Sequence, residues 1–155
     1  MANEKWKVGD TAPAFSAESD DAGTVSSADL KGQKYVLYFY PADMTPGCTT
    51  QACDFTANLD AFKAKGYRVI GVSPDSVEKH AKFRKKEGLG FTLLADTDHA
   101  IAEAFGVWRE KQNYGKTYTG IVRSTFFVGA DGKFEAIHDN VKATGHVERL
   151  VKGLA

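Results

Sequence analysis

The sequence predicts an α/β fold, a central mixed β-sheet flanked by helices on both faces. Three observations carry that prediction. Residues 34–40 (Lys-Tyr-Val-Leu-Tyr-Phe-Tyr) and 67–73 (Tyr-Arg-Val-Ile-Gly-Val-Ser) are near-continuous apolar runs, the pattern of strands buried on both faces. Amphipathic stretches with helix start and stop signals lie between and after them. Residues 124–128 are then followed by the turn signal Gly129-Ala130-Asp131-Gly132 and a second run at 133–137, a hairpin that adds antiparallel strands.

Taken in order, the first strand is stopped by Pro41. The helix after it opens with Thr45 suited to the N-cap and Pro46 suited to the first helical position, where no backbone N–H is needed. Cys48, Ala52, Phe55, Leu59 and Phe62 then recur at steps of four, three, four and three, which is one helical face. The second strand is stopped by Pro74. Residues 76–87 read as a charged amphipathic helix ending at Gly88. Residues 98–105 read as a shorter helix with an acidic start and a stop at Gly106, and residues 146–154 as a closing helix. Strand–helix–strand–helix order followed by a hairpin and a helix is a thioredoxin-like layout, here with an N-terminal extension.

The chain has 155 residues, 43% of them hydrophobic and 26% charged, ordinary values for one globular domain with a sizeable core. No repeat, low-complexity tract or linker interrupts it, so residues 1–155 are expected to form a single domain. Twenty basic and 20 acidic residues cancel, which removes the basic excess that nucleic acid or an anionic membrane would require. The opening residues Met1-Ala2-Asn3-Glu4-Lys5 lead into charge, unlike a signal peptide, and no window is long and apolar enough to span a bilayer. A soluble cytoplasmic protein is expected.

Both cysteines of the chain lie in Thr45-Pro46-Gly47-Cys48-Thr49-Thr50-Gln51-Ala52-Cys53. Two are too few for a disulfide scaffold or a four-sulfur zinc site, and a close pair in a reducing compartment suggests redox work. Cys48 falls at the third helical position, where backbone N–H groups and the positive end of the helix dipole favour thiolate. It also belongs to the apolar stripe, so its sulfur should face the body of the protein. Cys53 lies about 140° around the helix from it, and five residues of helix part the two Cα atoms by roughly 8–9 Å. A disulfide wants Cα atoms within about 7 Å and converging Cβ vectors. If the pair bonds, the first turns of the helix must unwind, and that is the expectation here.

Four residues intervene between the cysteines, against two in a thioredoxin-type redox motif, so the fold can be shared without the chemistry. His80, His99, His138 and His146 show no ligand spacing relative to the sulfurs, so no metal is expected. Each histidine is expected at the surface or a helix end.

The run Pro41-Ala42-Asp43-Met44-Thr45-Pro46-Gly47-Cys48 resembles the signature of the peroxiredoxins: a proline, a threonine four residues on, a cysteine three beyond that. Cys53, five residues after Cys48, resembles the bacterioferritin comigratory protein (PrxQ) branch. Arg123 in Val122-Arg123-Ser124-Thr125-Phe126-Phe127-Val128 resembles that family's late-strand arginine. The likeness runs from residues 8–13 through 118–121 to the last helix. Gln51 departs from it, standing where many relatives carry an acidic residue, with an effect expected only on the surface near the helix start.

The resemblance implies reduction of hydrogen peroxide and alkyl hydroperoxides by sulfur, without metal, haem or flavin, and re-reduction by thioredoxin or a similar dithiol. Cys48 would attack the O–O bond and become a sulfenic acid, and Cys53 would condense with it. A reactive cysteine requires a thiolate preference on the order of 3–4 kcal/mol. A helix terminus supplies under about 1 kcal/mol, or about 2 when partly buried, so a cation is needed and Arg123 is the candidate. Thr45 would bond sulfur or peroxide as well as cap the helix. Pro41 would wall the pocket against water, and the N–H groups of Gly47 and Cys48 would aim at the peroxide.

Two other readings use the same residues. A redox sensor would form the same disulfide to signal to a partner, and a thioredoxin-like binding module would leave Cys48 unreactive. Rapid multiple turnover favours the enzyme over both. The intramolecular pair needs no second subunit's sulfur, so a monomer is expected.

Overall fold

The computed structural model describes residues 5–113 and 115–154. The chain opens with β1 (Ser16–Ser19) and β2 (Thr24–Ser26), a short 3-10 turn (Ser27–Leu30), and β3 (Lys34–Phe39). Next come α1 (Pro46–Ala57), α2 (Leu59–Ala64), β4 (Tyr67–Ser73), α3 (Val77–Glu87), β5 (Thr92–Ala95) and α4 (Ala100–Ala104). A ribbon of β6 (Trp108–Asn113) and β7 (Lys116–Ile121) precedes β8 (Ser124–Val128), β9 (Phe134–His138) and α5 (His146–Leu154).

The main sheet runs β2-β1-β5-β4-β3-β8-β9. Its centre is parallel: β3 lies beside β4 with Lys34 opposite Tyr67 and Phe39 opposite Val72, and β4 lies beside β5. Both flanks are antiparallel, β8 against β3 and β9 on one side, β1 against β5 and β2 on the other. The sheet is therefore mixed, with two parallel crossovers made through helices.

Alternation along β3 splits the core in two. Tyr35, Leu37 and Phe39 join one cluster with Phe105, Phe126 and Phe134, covered by α4 and the N-terminal segment. Val36, Tyr38 and Tyr40 join the other with Cys48, Phe55, Phe62, Phe83 and Leu150, contributed by α1, α2, α3 and α5. Tyr38 fits because Gly71 stands opposite it on β4, where an added Cβ would come within 3.0 Å of its ring.

Several expectations need adjusting. The helix after Pro41 breaks at Asn58 into α1 and α2, yet its stripe survives the break: Cys48, Ala52, Phe55 and Phe62 are buried and Leu59 packs against them. The helix expected at 98–105 is shorter, because Asp96 takes the N–H groups of Ile101 and Ala102 at 3.0 and 2.9 Å and so sets its start. The N-terminal extension is a hairpin that lengthens the sheet. β5 completes the parallel centre, and the β6–β7 ribbon stands apart from the main sheet. No helix among the described residues is long and apolar enough to cross a membrane.

Candidate active site

The site forms where the C-terminal end of β3 hands over to α1. Tyr40 still bonds through its N–H to Val72 O (3.1 Å), and the half-buried Pro41 ends the ladder because it has no N–H to offer. Residues 41–45 then fold back into the helix start. Met44 takes a left-handed conformation, φ 65°, which costs a non-glycine residue energy and marks a tightly determined turn.

A buried pair holds that turn from beneath. His80 of α3 is 0% exposed; its Nδ1 lies 2.6 Å from Asp43 Oδ2 and its Nε2 2.9 Å from Leu94 O. A carbonyl only accepts, so Nε2 donates. The other oxygen of Asp43 accepts from Tyr40 Oη at 2.6 Å, which leaves Oδ2 to share one hydrogen with Nδ1. Asp43 N–H in turn donates to Asp75 Oδ2 at 2.6 Å, which also takes the Ser73 hydroxyl at 2.8 Å. Burial, with Asp43 adding to it, pushes the Tyr40 phenol well above its ordinary pKa, so it stays a donor. The expectation that each histidine lies at the surface or a helix end fails at His80, which sits in the helix interior with both nitrogens occupied.

Thr45 stands at the N-cap of α1 with extended backbone (φ −78°, ψ 154°), and Pro46 follows as expected. Its side chain makes no cap bond; Oγ1 donates to Ala42 O at 3.0 Å instead. The expected side-chain capping role is therefore corrected: this hydroxyl ties the turn to itself. The first helical bond is Thr49 N–H to Thr45 O (2.9 Å), so the N–H groups of Gly47 and Cys48 precede it.

Cys48 is 2% exposed, and its sulfur accepts from Arg123 Nη2 at 3.2 Å. Arg123 reaches it from the residue just before β8, half-buried, with its carbonyl held by Val141 N–H at 2.9 Å. Gly47 lies beside the guanidinium, where a Cβ would stand in ordinary contact, 3.4 Å from Nη2. The other arm, Nη1, donates to Gln51 Oε1 at 2.5 Å. Gln51 is 0% exposed and its Nε2 has no hydrogen-bond partner among the described residues. The expectation that Gln51 affects only the surface is thus overturned: one turn of helix carries residue 51 round to the arginine. Cys48, Arg123, Gly47 and Gln51 meet in this niche and Thr45 begins the helix that carries three of them, whereas Cys53 contacts Glu87 instead.

Cys53 is half-buried on another side of α1, and its thiol donates to Glu87 Oε1 at 3.7 Å. Burial first, then the Glu87 charge and hydrogen bond, then Asp54, push it above the ordinary thiol range. Both sulfurs are free thiols within one uninterrupted helix.

Two further groups had no signal in the sequence. Lys111 donates to Ile121 O at 2.7 Å; burial and the Arg123 charge push its pKa down while Cys48 pulls it up, which places this ammonium in the field of the site. Only the pairing of β6 with β7 brings it there. Tyr38 lies beneath α1 with its hydroxyl unpartnered among the described residues, and burial followed by the Cys48 charge keeps it protonated. No group of three or more His, Cys, Asp or Glu among the described residues is arranged to hold a metal.

A buried thiol beside a guanidinium at a helix start defines a thiol-redox site on a thioredoxin-type sheet. The AhpC/TSA family matches residues 8–137 of the chain. Peroxiredoxin Bcp of Escherichia coli K12 is 49% identical over 148 residues, covering 96% of this chain and 95% of that protein. Peroxiredoxin Bcp of Bacillus subtilis 168 is 47% identical over 148 residues, covering 96% and 94%. Among solved structures, the bacterioferritin comigratory protein of Xanthomonas campestris superposes with a TM-score of 0.84 at 38% identity, covering 90% and 89% of the two chains. A PrxQ cysteine-to-serine mutant from Xylella fastidiosa gives 0.90 at 34% identity, covering 97% and 96%. The chain belongs to the AhpC/TSA family and is a peroxiredoxin, a thiol peroxidase served by a thioredoxin-type reductant.

Proposed function

We propose that Cys48 is the peroxide-attacking thiolate of this enzyme and Cys53 the thiol that resolves its oxidised form. The observation that carries this is the contact of Arg123 Nη2 with Cys48 Sγ at 3.2 Å, inside a niche that also exposes the first N–H groups of α1. A charge-assisted hydrogen bond of this kind stabilises the anion by about 1.5–3 kcal/mol, and the helix start adds to it. Both act in favour of the anion.

The peroxide would lie along the start of α1. Thr45 Oγ1, having given its hydrogen to Ala42, is left to accept from the peroxide O–H. Arg123 and the N–H groups of Gly47 and Cys48 would donate to the oxygens as negative charge develops on the leaving one. Pro41 would close the niche without offering water a donor. Attack of Cys48 sulfur on the near oxygen breaks the O–O bond, releases water or an alcohol after protonation, and leaves a sulfenic acid.

The turns carrying Cys48 and Cys53 then unwind, because the intact helix holds the sulfurs on different sides. Condensation yields the disulfide, which thioredoxin or a similar dithiol reopens by exchange. Hydrogen peroxide and alkyl hydroperoxides are the substrate class, in keeping with the alkyl peroxide reduction described for the Xanthomonas relative. We take the working unit to be one domain of residues 1–155, a monomer in the cytoplasm, since both sulfurs belong to one chain and free thiols suit a reducing compartment. Sensing alone is not favoured by relatives that are peroxiredoxins.

The test is a single turnover. Fully reduced protein mixed with one equivalent of hydrogen peroxide is expected to lose both thiols and two hydrogens in mass, and to regain them with thioredoxin. Retention of both thiols would overturn the assignment.

A further inference from the structure

We propose that Glu87 is a positioning residue for the resolving step, holding the Cys53 thiol on the folded helix through an S–H to carboxylate bond until Cys48 has been oxidised. The inference rests on the assignment of Cys53 as the resolving thiol and goes beyond it by naming what restrains that thiol.

The contact is part of a built seat. Glu87 closes α3, and Gly88 follows in a left-handed conformation (φ 66°) that turns the chain back toward α1. Arg84 fixes the next residues by donating to Leu89 O (2.7 Å) and Phe91 O, while its guanidinium is anchored on Asp20. Against this segment α1 places Thr56, whose Oγ1 accepts from Gly90 N–H at 3.4 Å. Leu59 follows so closely that a Cβ on Gly90 would lie 2.7 Å from its Cδ1. Cys53 is the first of these three contacts and the only one that involves a reacting atom.

The electrostatics point the same way. The groups acting on Cys53 are Glu87 of α3 and its own neighbour Asp54, which Glu148 of α5 faces; Tyr38 of β3 feels the Cys53 charge from below. Each of the causes acting on the Cys53 thiol raises its pKa. The setting favours the thiol, which is a weak nucleophile, and the hydrogen bond gives the undisturbed helix a tether that must break when α1 unwinds.

The step itself balances. The S–O bond of the Cys48 sulfenic acid breaks, the S–S bond forms, and the hydroxyl leaves with the Cys53 proton as water. The sulfenic sulfur is reduced as the thiol sulfur is oxidised. Glu87 enters by deciding how readily Cys53 leaves its seat and loses that proton.

Glu87→Gln in the full chain tests this. Reduced enzyme is mixed with one equivalent of hydrogen peroxide, and rapid acid quench with mass analysis separates Cys48 oxidation from disulfide formation across pH 6–10. The variant is expected to form the disulfide about threefold faster at neutral pH, with its pH profile moved down by about 0.5. Glu87→Asp should fall between it and wild type. Alkylation of Cys53 by iodoacetamide in a Cys48→Ser background supplies a second reading, expected to show the same displacement. Profiles of both variants that coincide with wild type would overturn the proposal, whereas a wild type that forms no disulfide at all would instead sink the resolving role of Cys53.

Discussion

The two sides of α1 put the same chemical group to opposite uses. On the inner side, the sulfur of Cys48 is buried, faces a guanidinium and lies within reach of unspent backbone N–H groups. On the outer side, the sulfur of Cys53 is half-exposed and faces a carboxylate. Burial alone disfavours a thiolate at either place. What separates them is the sign of the nearest fixed charge, and helical geometry sets that sign by turning residues 48 and 53 toward different neighbours. A reactive sulfur and a restrained one can therefore sit within two turns of one helix.

The sharpest break of this comparison is to remove each sulfur in turn. Cys48→Ser is expected to lower turnover with thioredoxin by about 10³-fold or more, because it replaces the sulfur that faces Arg123 with a much weaker nucleophile. Cys53→Ser should keep the first oxidation and lose the cycle, ending as a sulfenic or over-oxidised Cys48. Coupled thioredoxin assays and intact mass distinguish the two. Equal loss of the first oxidation in both variants would erase the asymmetry.

The inner side also depends on what holds the turn at residues 41–45. His80→Leu leaves Asp43 Oδ2 buried without its hydrogen-bond partner, and such a break costs about 1–3 kcal/mol. A urea melt of the reduced protein is expected to show that loss, with a matching fall in peroxide reactivity as the turn slackens. Unchanged stability would mean that the Asp43–His80 contact does not hold the turn.

This pair shows where the sequence falls silent. The strands at 34–40, 67–73 and 124–128 were legible because buried strands are apolar without a break, and the α1 stripe because its steps match a helical period. Thr45, Gly47 and Cys48 could be set at a helix start from Pro46 and the apolar stripe, whereas Arg123 was singled out by the resemblance of residues 122–128 to the peroxiredoxins' late-strand arginine. His80 and Asp43 lie 37 positions apart and are joined only by the crossover that sets α3 beneath the turn. β1, β2 and β5 run three or four residues each, too short for periodicity to register. Gln51 was misjudged for another reason: it sits three residues past Cys48, on the niche side of the helix, where a polar residue reads as surface until its partner is known.

Substitutions around Arg123 come next in size. Arg123→Met removes the charged bond to sulfur and is expected to slow peroxide reduction by roughly 10- to 100-fold, matching about 1.5–3 kcal/mol. Gln51→Leu leaves Nη1 unpaired in a tight niche and should cost about three- to tenfold. Gln51→Glu still offers the arginine an oxygen and is expected to retain more activity than Gln51→Leu. Equal losses for the two Gln51 variants would show that residue 51 acts by packing and not by holding the guanidinium.

The smallest effect tests the outer side by itself. The folded helix raises the pKa of Cys53 above its ordinary value of 9.0. A group whose pKa is raised by folding contributes stability that is complete below its unfolded pKa and is lost as pH climbs through the folded one. The reduced protein should therefore lose stability as pH rises above 9.0 that a Cys53→Ser variant keeps. Partial exposure limits the difference to under about 1 kcal/mol. Glu87→Gln should shrink the gap, since it removes the charge acting on the thiol, while Arg123→Met should leave it untouched. Thermal melts of these variants at pH 8 and pH 10.5 separate the two cases. A gap that responds to Arg123 and ignores Glu87 would mean that the two sides of α1 are not electrostatically independent.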